Sequence, residues 1–356
     1  MAPPLFERMT VIGLGLIGSS IARAAHERKI AATIVGCDQN EMTLAYGRKQ
    51  GFIDIAAYNP AVAVKDSQLV VIATPPSTLE SVGRQIAEHL SEGALVIDTC
   101  SVKRVATEAL GKRLPAQVQF IPTHPIAGSE HTGVSAGRAD LFEGKRIIIT
   151  PDEPLQGSSM QLINQLWERM GARVEGMPPH VHDLVYAYVS HLPQLLAFAC
   201  VAPMGNLSVP PRTGSTLARF LRLGGSSPLL WGDIFNYNKD NVQKGLDEYL
   251  DVLSHIYGEL GRAPEGEGTQ EDDILVRTVL FPRIAASCLI TTVMNAERKA
   301  GFPFARYTGT GFADFTSPAT SAPDEEMEKI SAHSRALRAI VKDYIDELIR
   351  RRAELV

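Results

Sequence analysis

The sequence predicts a doubly wound α/β domain at the N-terminus followed by an all-α C-terminal region. Three observations predict it. Short runs rich in Val and Ile alternate with amphipathic stretches through about residue 175. The first run leads directly into Gly13-Leu-Gly15-Leu16-Ile17-Gly18. Beyond residue 178 strand signals vanish and a helical apolar period takes over.

The predicted strands are Met9–Gly13, Thr33–Asp38, Leu69–Thr74, Ala94–Thr99, Val118–Ile121 and Arg146–Thr150. Apolar strands of this kind, separated by helices, imply a parallel sheet covered on both faces. Among the helices, Ser77–Leu90 opens with the capping pattern Ser77-x-x-Glu80 after two prolines. In the second half, Val242, Leu246, Tyr249, Leu253 and Leu260 share one helix face, and Leu337, Ile340, Val341, Tyr344 and Leu348 share another. These two segments align at a fixed offset of 95 residues (249 against 344), with nine identities over the 41 positions 213–253. They include Thr213-Gly214 on Thr308-Gly309, Phe220 on Phe315, Pro228 on Pro323 and Tyr249 on Tyr344. An internally duplicated helical domain is the expectation. The expected domains are therefore 1–177, 178–265 and a diverged repeat at 266–356, with 266–273 as linker.

Bulk composition narrows the function. The 356 residues carry a formal charge of −5 and are 45% hydrophobic, which disfavours nucleic acid or an anionic membrane as the main partner. The basic run Arg350–Arg352 suits a helix end. Cys37, Cys100, Cys200 and Cys288 fit no metal-binding spacing, so no metal is expected and a reducing, cytoplasmic setting is. The N-terminus lacks the apolar core of a signal peptide, and no run is read as reaching the length of a membrane span, so a soluble chain is expected.

The glycine loop carries the first chemistry. Gly13 permits a tight turn, Gly15 lets backbone approach a pyrophosphate, and Gly18 lets helix pack on strand; Leu16 and Ile17 present the helix N-terminus. A bare Gly-x-Gly-x-x-Gly is weak evidence. Here it follows a strand, opens a helix and precedes a second strand ending in Asp38, which predicts a Rossmann-type dinucleotide-binding domain. Asp38 would accept from the ribose hydroxyls and repel a 2′-phosphate, favouring NAD over NADP; its competing reading is a turn cap with Asn40. Thr74 and Pro75 end the next strand at the ligand-binding edge, either as a wall beside the cofactor or as a simple strand terminator. Ser101 follows the fourth strand and either caps the next helix or points toward the nicotinamide. His124 stands in Pro122-Thr-His124-Pro-Ile-Ala-Gly-Ser-Glu130-His-Thr-Gly133, a Pro/Gly-rich turn after an apolar strand. A histidine there is a candidate for handling a proton while a cofactor handles a hydride.

Taken together, Gly-Leu-Gly-Leu-Ile-Gly at 13–18, Asp-x-x-Ser-Val-Lys at 98–103, His-Pro-Ile-Ala-Gly-Ser-Glu-x-Thr-Gly at 124–133 and His182-Asp183 with Ser190-His191-Leu192-Pro193 resemble the prephenate/arogenate (cyclohexadienyl) dehydrogenase family. The resemblance spans roughly residues 9–260 and implies oxidative decarboxylation in tyrosine biosynthesis. It implies that His124 accepts the proton of the substrate's ring hydroxyl as hydride leaves for NAD, and that Ser101 hydrogen-bonds the same hydroxyl. Glu130 would help close the site, against the alternative of a solvated loop carboxylate. His191 would lie near the substrate side chain, although Gln194 replaces a second family histidine. Arg222 and Trp231 stand at the family spacing for the carboxylate-binding arginine and a following tryptophan, with Arg219 as the nearby competitor.

At the 95-residue offset, Arg222 falls on Ser317 and Trp231 on Glu326, so the second copy reads as structural. Family members resemble intertwined homodimers built through the helical domain. The expectation here is a homodimer or a pseudo-dimeric monomer acting on a small molecule. Two alternatives stand beside this reading: a β-hydroxyacid-type dehydrogenase and a non-catalytic NAD-binding sensor. The choice between prephenate and arogenate is left open by the sequence.

Overall fold

The structure is a computed structural model that describes residues 3–128, 131–151, 157–204, 218, 222–262, 275–320 and 329–355. It divides into two compact units, Met1–Asp183 and Leu184–Val356.

The first unit is built on six parallel strands: β1 (Phe6–Ile12), β2 (Ala31–Cys37), β3 (Ile55–Ala57), β4 (Leu69–Ile72), β5 (Leu95–Asp98) and β6 (Gln119–Ile121). Their spatial order is β3-β2-β1-β4-β5-β6, the doubly wound order whose direction reverses between β1 and β4. All four residues of β4 and of β5 are buried, which is why these strands read as uninterrupted apolar runs. The crossovers carry helices α1 (Leu16–Glu27), α2 (Glu41–Gln50), α3 (Pro60–Ala63), α4 (Leu79–Ile86) and α5 (Lys103–Ala106), the last prolonged by a π turn at Thr107–Gly111. Ile21, Ala22, Ala24 and Ala25 of α1 are buried against the sheet.

Three sequence expectations are corrected here. Arg146–Thr150 is a strand, β8 (Arg146–Ile149), but it does not join the parallel sheet. It pairs antiparallel with β7 (Thr123–Pro125) and, across the connecting helix α6 (Ser158–Arg169), parallel with β9 (Arg173–Gly176), forming a second, three-stranded sheet. The break falls at Pro122, between β6 and β7, where no N–H is available to continue a ladder. His124 consequently sits within β7, paired with Ile148, and not in a turn. The capping pattern at Ser77 is also not formed. The segment opens as a tight 3-10 turn at Pro76–Thr78, Thr78 caps α4 without a side-chain bond, and Glu80 turns instead to Arg113. A tertiary partner has displaced a local one.

The second unit is helical among its described residues, as expected. The chain enters it through α7 (Pro179–Tyr186), a π turn at Ala187–His191 and α8 (Leu192–Met204). There follow α9 (Pro228–Tyr237), α10 (Lys239–Leu260), a second π turn at Val276–Leu280, α11 (Phe281–Ala300), α12 (Thr310–Thr316) and α13 (Ser334–Glu354). The expected linker at 266–273 lies outside the described residues. Two helical stretches, Pro179–Val201 and Val276–Ala300, are long and apolar enough to cross a membrane, contrary to the sequence reading that no run reaches that length. Most of each is buried within the protein, as core helices are.

Candidate active site

The glycine loop joins β1 to α1 at the carboxyl edge of the sheet. Gly13 has φ +87°, and a Cβ there would stand 2.6 Å from the Ala73 carbonyl oxygen. A Cβ on Gly18 would stand 1.8 Å from the Gly13 oxygen, so that glycine lets the helix close on the loop. A Cβ on Gly15 would meet nothing within 4 Å; it projects into open space beside the start of α1. Gly15 is the N-cap of α1, gives no side-chain cap, and no acidic residue stands in the first turn. The first N–H groups of the helix thus face an open cradle with a positive dipole end, which fits a pyrophosphate.

Asp38 is tied into this loop. Its Oδ2 accepts the Leu14 N–H at 2.8 Å and its Oδ1 accepts the Asn40 N–H at 2.9 Å. The turn reading of Asp38 therefore describes part of its role, and each carboxylate oxygen retains a second lone pair for a hydroxyl. Thr74 and Pro75 likewise do two things. Thr74 Oγ1 accepts from the Thr78 hydroxyl at 2.8 Å, and its methyl bears on the Gly13 position; Pro75 leads into the 3-10 turn.

A buried polar cluster surrounds His124. Its Nδ1 lies 2.8 Å from Nε2 of His182, and Nδ1 of His182 lies 2.8 Å from Oδ1 of Asp183. Asp183 also accepts the Lys103 N–H on Oδ1 at 2.7 Å and the Arg104 N–H on Oδ2 at 2.9 Å. His182 and Asp183 are fully buried and His124 is nearly so. With a carboxylate as the terminal acceptor and both imidazoles neutral, the direction of each link follows. The Nδ1–H of His182 donates to Asp183, so its Nε2 accepts from the Nδ1–H of His124, and the lone pair of His124 is on Nε2.

A second buried group pins the strand that carries His124. The Lys103 ammonium donates to Asp98 and to the Thr123 carbonyl, and the Thr123 N–H donates to Asp98 Oδ1 at 3.1 Å. Both charged side chains are fully buried. Burial pushes the Asp98 carboxyl up, against the opposing pull of the Lys103 ammonium. Asp98 ends β5 and Thr123 opens β7, so this pair fastens the two sheets together one residue from His124.

Ser101 is half-buried in the β5–α5 turn. It does not cap α5, whose N-cap is Val102; the Asp183 carboxylate serves that end instead. Among the described residues no hydrogen bond joins Ser101 to His124. Glu130 and Arg219 lie outside the described residues.

The second unit holds the other candidates. His191 is buried; its Nδ1 accepts from the Asn238 amide at 3.1 Å, which places its proton on Nε2. Its ring meets Trp231 edge to face with centroids 6.1 Å apart, and Trp231 packs on Phe235. Arg222 pairs with Asp314 of α12. It immediately precedes a 3-10 turn, Leu223–Gly225, whose Leu223 carbonyl accepts the Gln194 amide at 2.5 Å. Gln194 therefore fixes the turn beside Arg222. The structure brings His191 and Trp231 together, and joins Arg222 to a residue that sequence reasoning did not connect with it.

Sequence reasoning also assigned no role to His182, Asp183, Asp98 or Lys103. The available signal was their place inside the two motifs that also carry Ser101 and His191.

Comparison with known proteins supplies the context. Residues 21–176 match the nucleotide-binding domain of prephenate dehydrogenase, and residues 178–266 match its dimerization domain. A cyclohexadienyl dehydrogenase of Zymomonas mobilis is 30% identical over 278 residues, 76% of this chain and 92% of that protein. A prephenate dehydrogenase of Bacillus subtilis is 29% identical over 256 residues, 70% of this chain and 69% of that protein. The fold is similar to that of a prephenate dehydrogenase from A. aeolicus solved with hydroxyphenyl propionate and NAD+. The two share 31% identity with a TM-score of 0.63, covering 72% of this chain and 91% of the other.

Proposed function

The chain belongs to the prephenate dehydrogenase family, and from that premise we propose how its residues divide the NAD-dependent oxidative decarboxylation that it catalyses in tyrosine biosynthesis. The family match sets aside both the β-hydroxyacid dehydrogenase and the NAD-sensor readings. NAD, when bound, supplies the hydride acceptor. The glycine cradle at Gly13, Gly15 and Gly18, with the backbone of Leu16 and Ile17, would hold its pyrophosphate; Asp38 would take the ribose and Thr74-Pro75 would wall the site.

His124 is the proposed general base, and the observation that carries the reading is its chain of hydrogen bonds to His182 and Asp183. The chain leaves the lone pair on Nε2, the atom that takes the hydroxyl proton as the ring carbon becomes a carbonyl. The resulting positive charge is shared along Nδ1–H toward His182 and compensated by the buried Asp183 carboxylate. Loss of the ring carboxylate as CO₂ then makes the ring aromatic. Ser101 is proposed to orient the same hydroxyl, Arg222 to bind the ring carboxylate through its planar fork, and His191 with Trp231 to face the substrate side chain. Glu130 keeps its proposed role in closing the site.

The setting proposed is the cytoplasm, supported by the four well-separated cysteines, all buried as free thiols. The helical unit is proposed to supply the dimer-type seam, between two chains or within one, supported by the match to a dimerization domain.

The test is NADH absorbance at 340 nm with NAD and either prephenate or arogenate. Turnover of at least one is expected, and none with either overturns the reading. His124→Asn should lower kcat by about 10²–10⁴-fold while substrate binding persists, the loss expected when a general base is removed. An unchanged kcat excludes His124 as the base.

A further inference from the structure

The helical unit repeats itself, and the repeats exchange their packing. The first half runs from the π turn Ala187–His191 into α8, through the 3-10 turn ending at Gly225, to the capping residue Asn238 and α10. The second half runs from the π turn Val276–Leu280 into α11, through the 3-10 turn ending at Thr320, to the capping residue His333 and α13. The early landmarks lie 89 residues apart (187 against 276, Pro193 against Pro282) and the later ones 95 apart (225 against 320, 239 against 334). An offset that steps once, by six, is a single insertion between otherwise equivalent halves. The caps agree in backbone as well: Asn238 has φ −119° and ψ 24°, His333 has φ −112° and ψ 18°.

Packing does not respect the halves. The helix α8 lies chiefly against α13 of the second half, and α11 lies chiefly against α10 of the first, while α10 and α13 lie against each other. One hydrogen bond occurs twice across this seam. The Tyr249 hydroxyl on α10 donates to the Ala285 carbonyl on α11 at 3.2 Å, and the Tyr344 hydroxyl on α13 donates to the Leu196 carbonyl on α8 at 3.1 Å. The tyrosines correspond at the 95-residue offset (249 against 344) and the carbonyls at the 89-residue offset (196 against 285). The two rings meet edge to face at 6.4 Å. A contact in which residue i of one copy meets j of the other, and j meets i in return, is the mark of a two-fold interface between identical subunits. Here both copies belong to one chain.

We infer that the second half, residues 275–355, is a built-in partner, filling within one chain the seam at which a dimerization domain meets a second subunit. The protein therefore works as a monomer, with one dinucleotide-binding domain and one active site for each pair of helical halves. The first half alone corresponds to the matched dimerization domain. The second keeps the seam tyrosine, Tyr344 for Tyr249, but carries Ser317 at the position of Arg222. It also reaches the first half's site, because Asp314, which pairs with Arg222, belongs to it. That last contact bears on catalysis only through the substrate role proposed for Arg222; the seam itself does not depend on it.

The experiment is sedimentation and thermal unfolding of the full-length protein with NAD, read across a hundredfold range of protein concentration. The expected result is a single particle at the chain mass of 38.6 kDa. Its unfolding temperature should move by less than about 1 °C over the range, because no second chain enters the folded state. Tyr249→Phe and Tyr344→Phe should each lower that temperature by a similar amount, about 2–4 °C, without changing the mass. A particle of twice the chain mass whose unfolding temperature climbs with concentration would put the seam between chains and overturn the inference. Mass and unfolding temperature are read without turnover, so this outcome is separate from the fate of the proposed catalytic roles.

Discussion

Replacing His182 by phenylalanine tests the proton chain at its middle link. Phenylalanine keeps the approximate volume of the fully buried ring but offers no acceptor. The Nδ1–H of His124 then loses the partner that stands 2.8 Å away. A buried donor left unsatisfied costs about 1–3 kcal/mol, and His124 escapes that cost by moving its proton to Nε2. The lone pair then sits on the wrong nitrogen. With about 1.4 kcal/mol per tenfold, the reactive tautomer falls roughly 5- to 150-fold, and kcat should fall with it. The Michaelis constant for the ring substrate should stay within about twofold, since the reasoning changes only the proton's position. His182→Gln is the control, because its amide oxygen accepts the Nδ1–H and restores most of the loss. The assay is initial NADH formation at saturating NAD, with circular dichroism confirming the fold of each variant. A folded His182→Phe enzyme with kcat within about threefold of the parent would refute the chain as the device that sets the tautomer of His124.

Five further outcomes are expected. Arg222→Ala should mainly raise the Michaelis constant for the ring substrate; if Arg219→Ala does so instead, the carboxylate assignment moves to Arg219. Asp38→Ala should weaken NAD far more than NADP, measured by titration calorimetry, and equal losses would remove the ribose contact. Lys103→Met should cost about 3–5 kcal/mol in urea unfolding, because it strands the buried Asp98 carboxylate. Burial pushes the thiols of Cys37, Cys100, Cys200 and Cys288 up to about 12 from 9.0. At pH 8 none should react with a thiol reagent until the protein unfolds. Above pH 9 the unfolded chain loses these protons while the folded one keeps them, so stability should fall as pH rises from about 9 toward 12.

What the sequence made legible follows from where each element gets its stabilisation. The strands β1, β2, β4 and β5 are buried runs and announce themselves. The strand β3 is a three-residue edge strand with Ile55 exposed, and its pattern is too short to stand out from a loop. Arg146–Thr150 was readable as a strand, but not as a member of a second sheet, because sheet membership is decided by pairing partners distant in sequence. His124 was named by its motif, yet its strand is only three residues long and holds together through Lys103, Asp98 and Thr123. The membrane-length apolarity of Val276–Ala300 does not stand out in the sequence, since its charged and polar residues interrupt the run at helical intervals and the buried face shows only when the helix is folded. His182 lies 58 residues from His124, and Asp314 lies 92 from Arg222. Contacts of that kind leave no period and no spacing for a reader to find.

Asp183 shows why such residues matter in two ways at once. Its carboxylate takes the two N–H groups that open α5, and the same carboxylate takes the proton of His182. The helix end needs an acceptor because its first N–H groups have no partner within the helix. The proton chain needs an anion because a positive imidazole pair would otherwise be buried without compensation. One oxygen, Oδ1, serves both. Removing the charge therefore loosens α5 and the turn carrying Ser101 in the same stroke as it misdirects His124. An asparagine there keeps one acceptor and turns an NH₂ toward a group that is itself a donor. Stability and turnover should fall together in Asp183→Asn, whereas His182→Phe should separate them, leaving the α5 cap intact and reducing turnover. That difference identifies Asp183 as the anchor and His182 as the link.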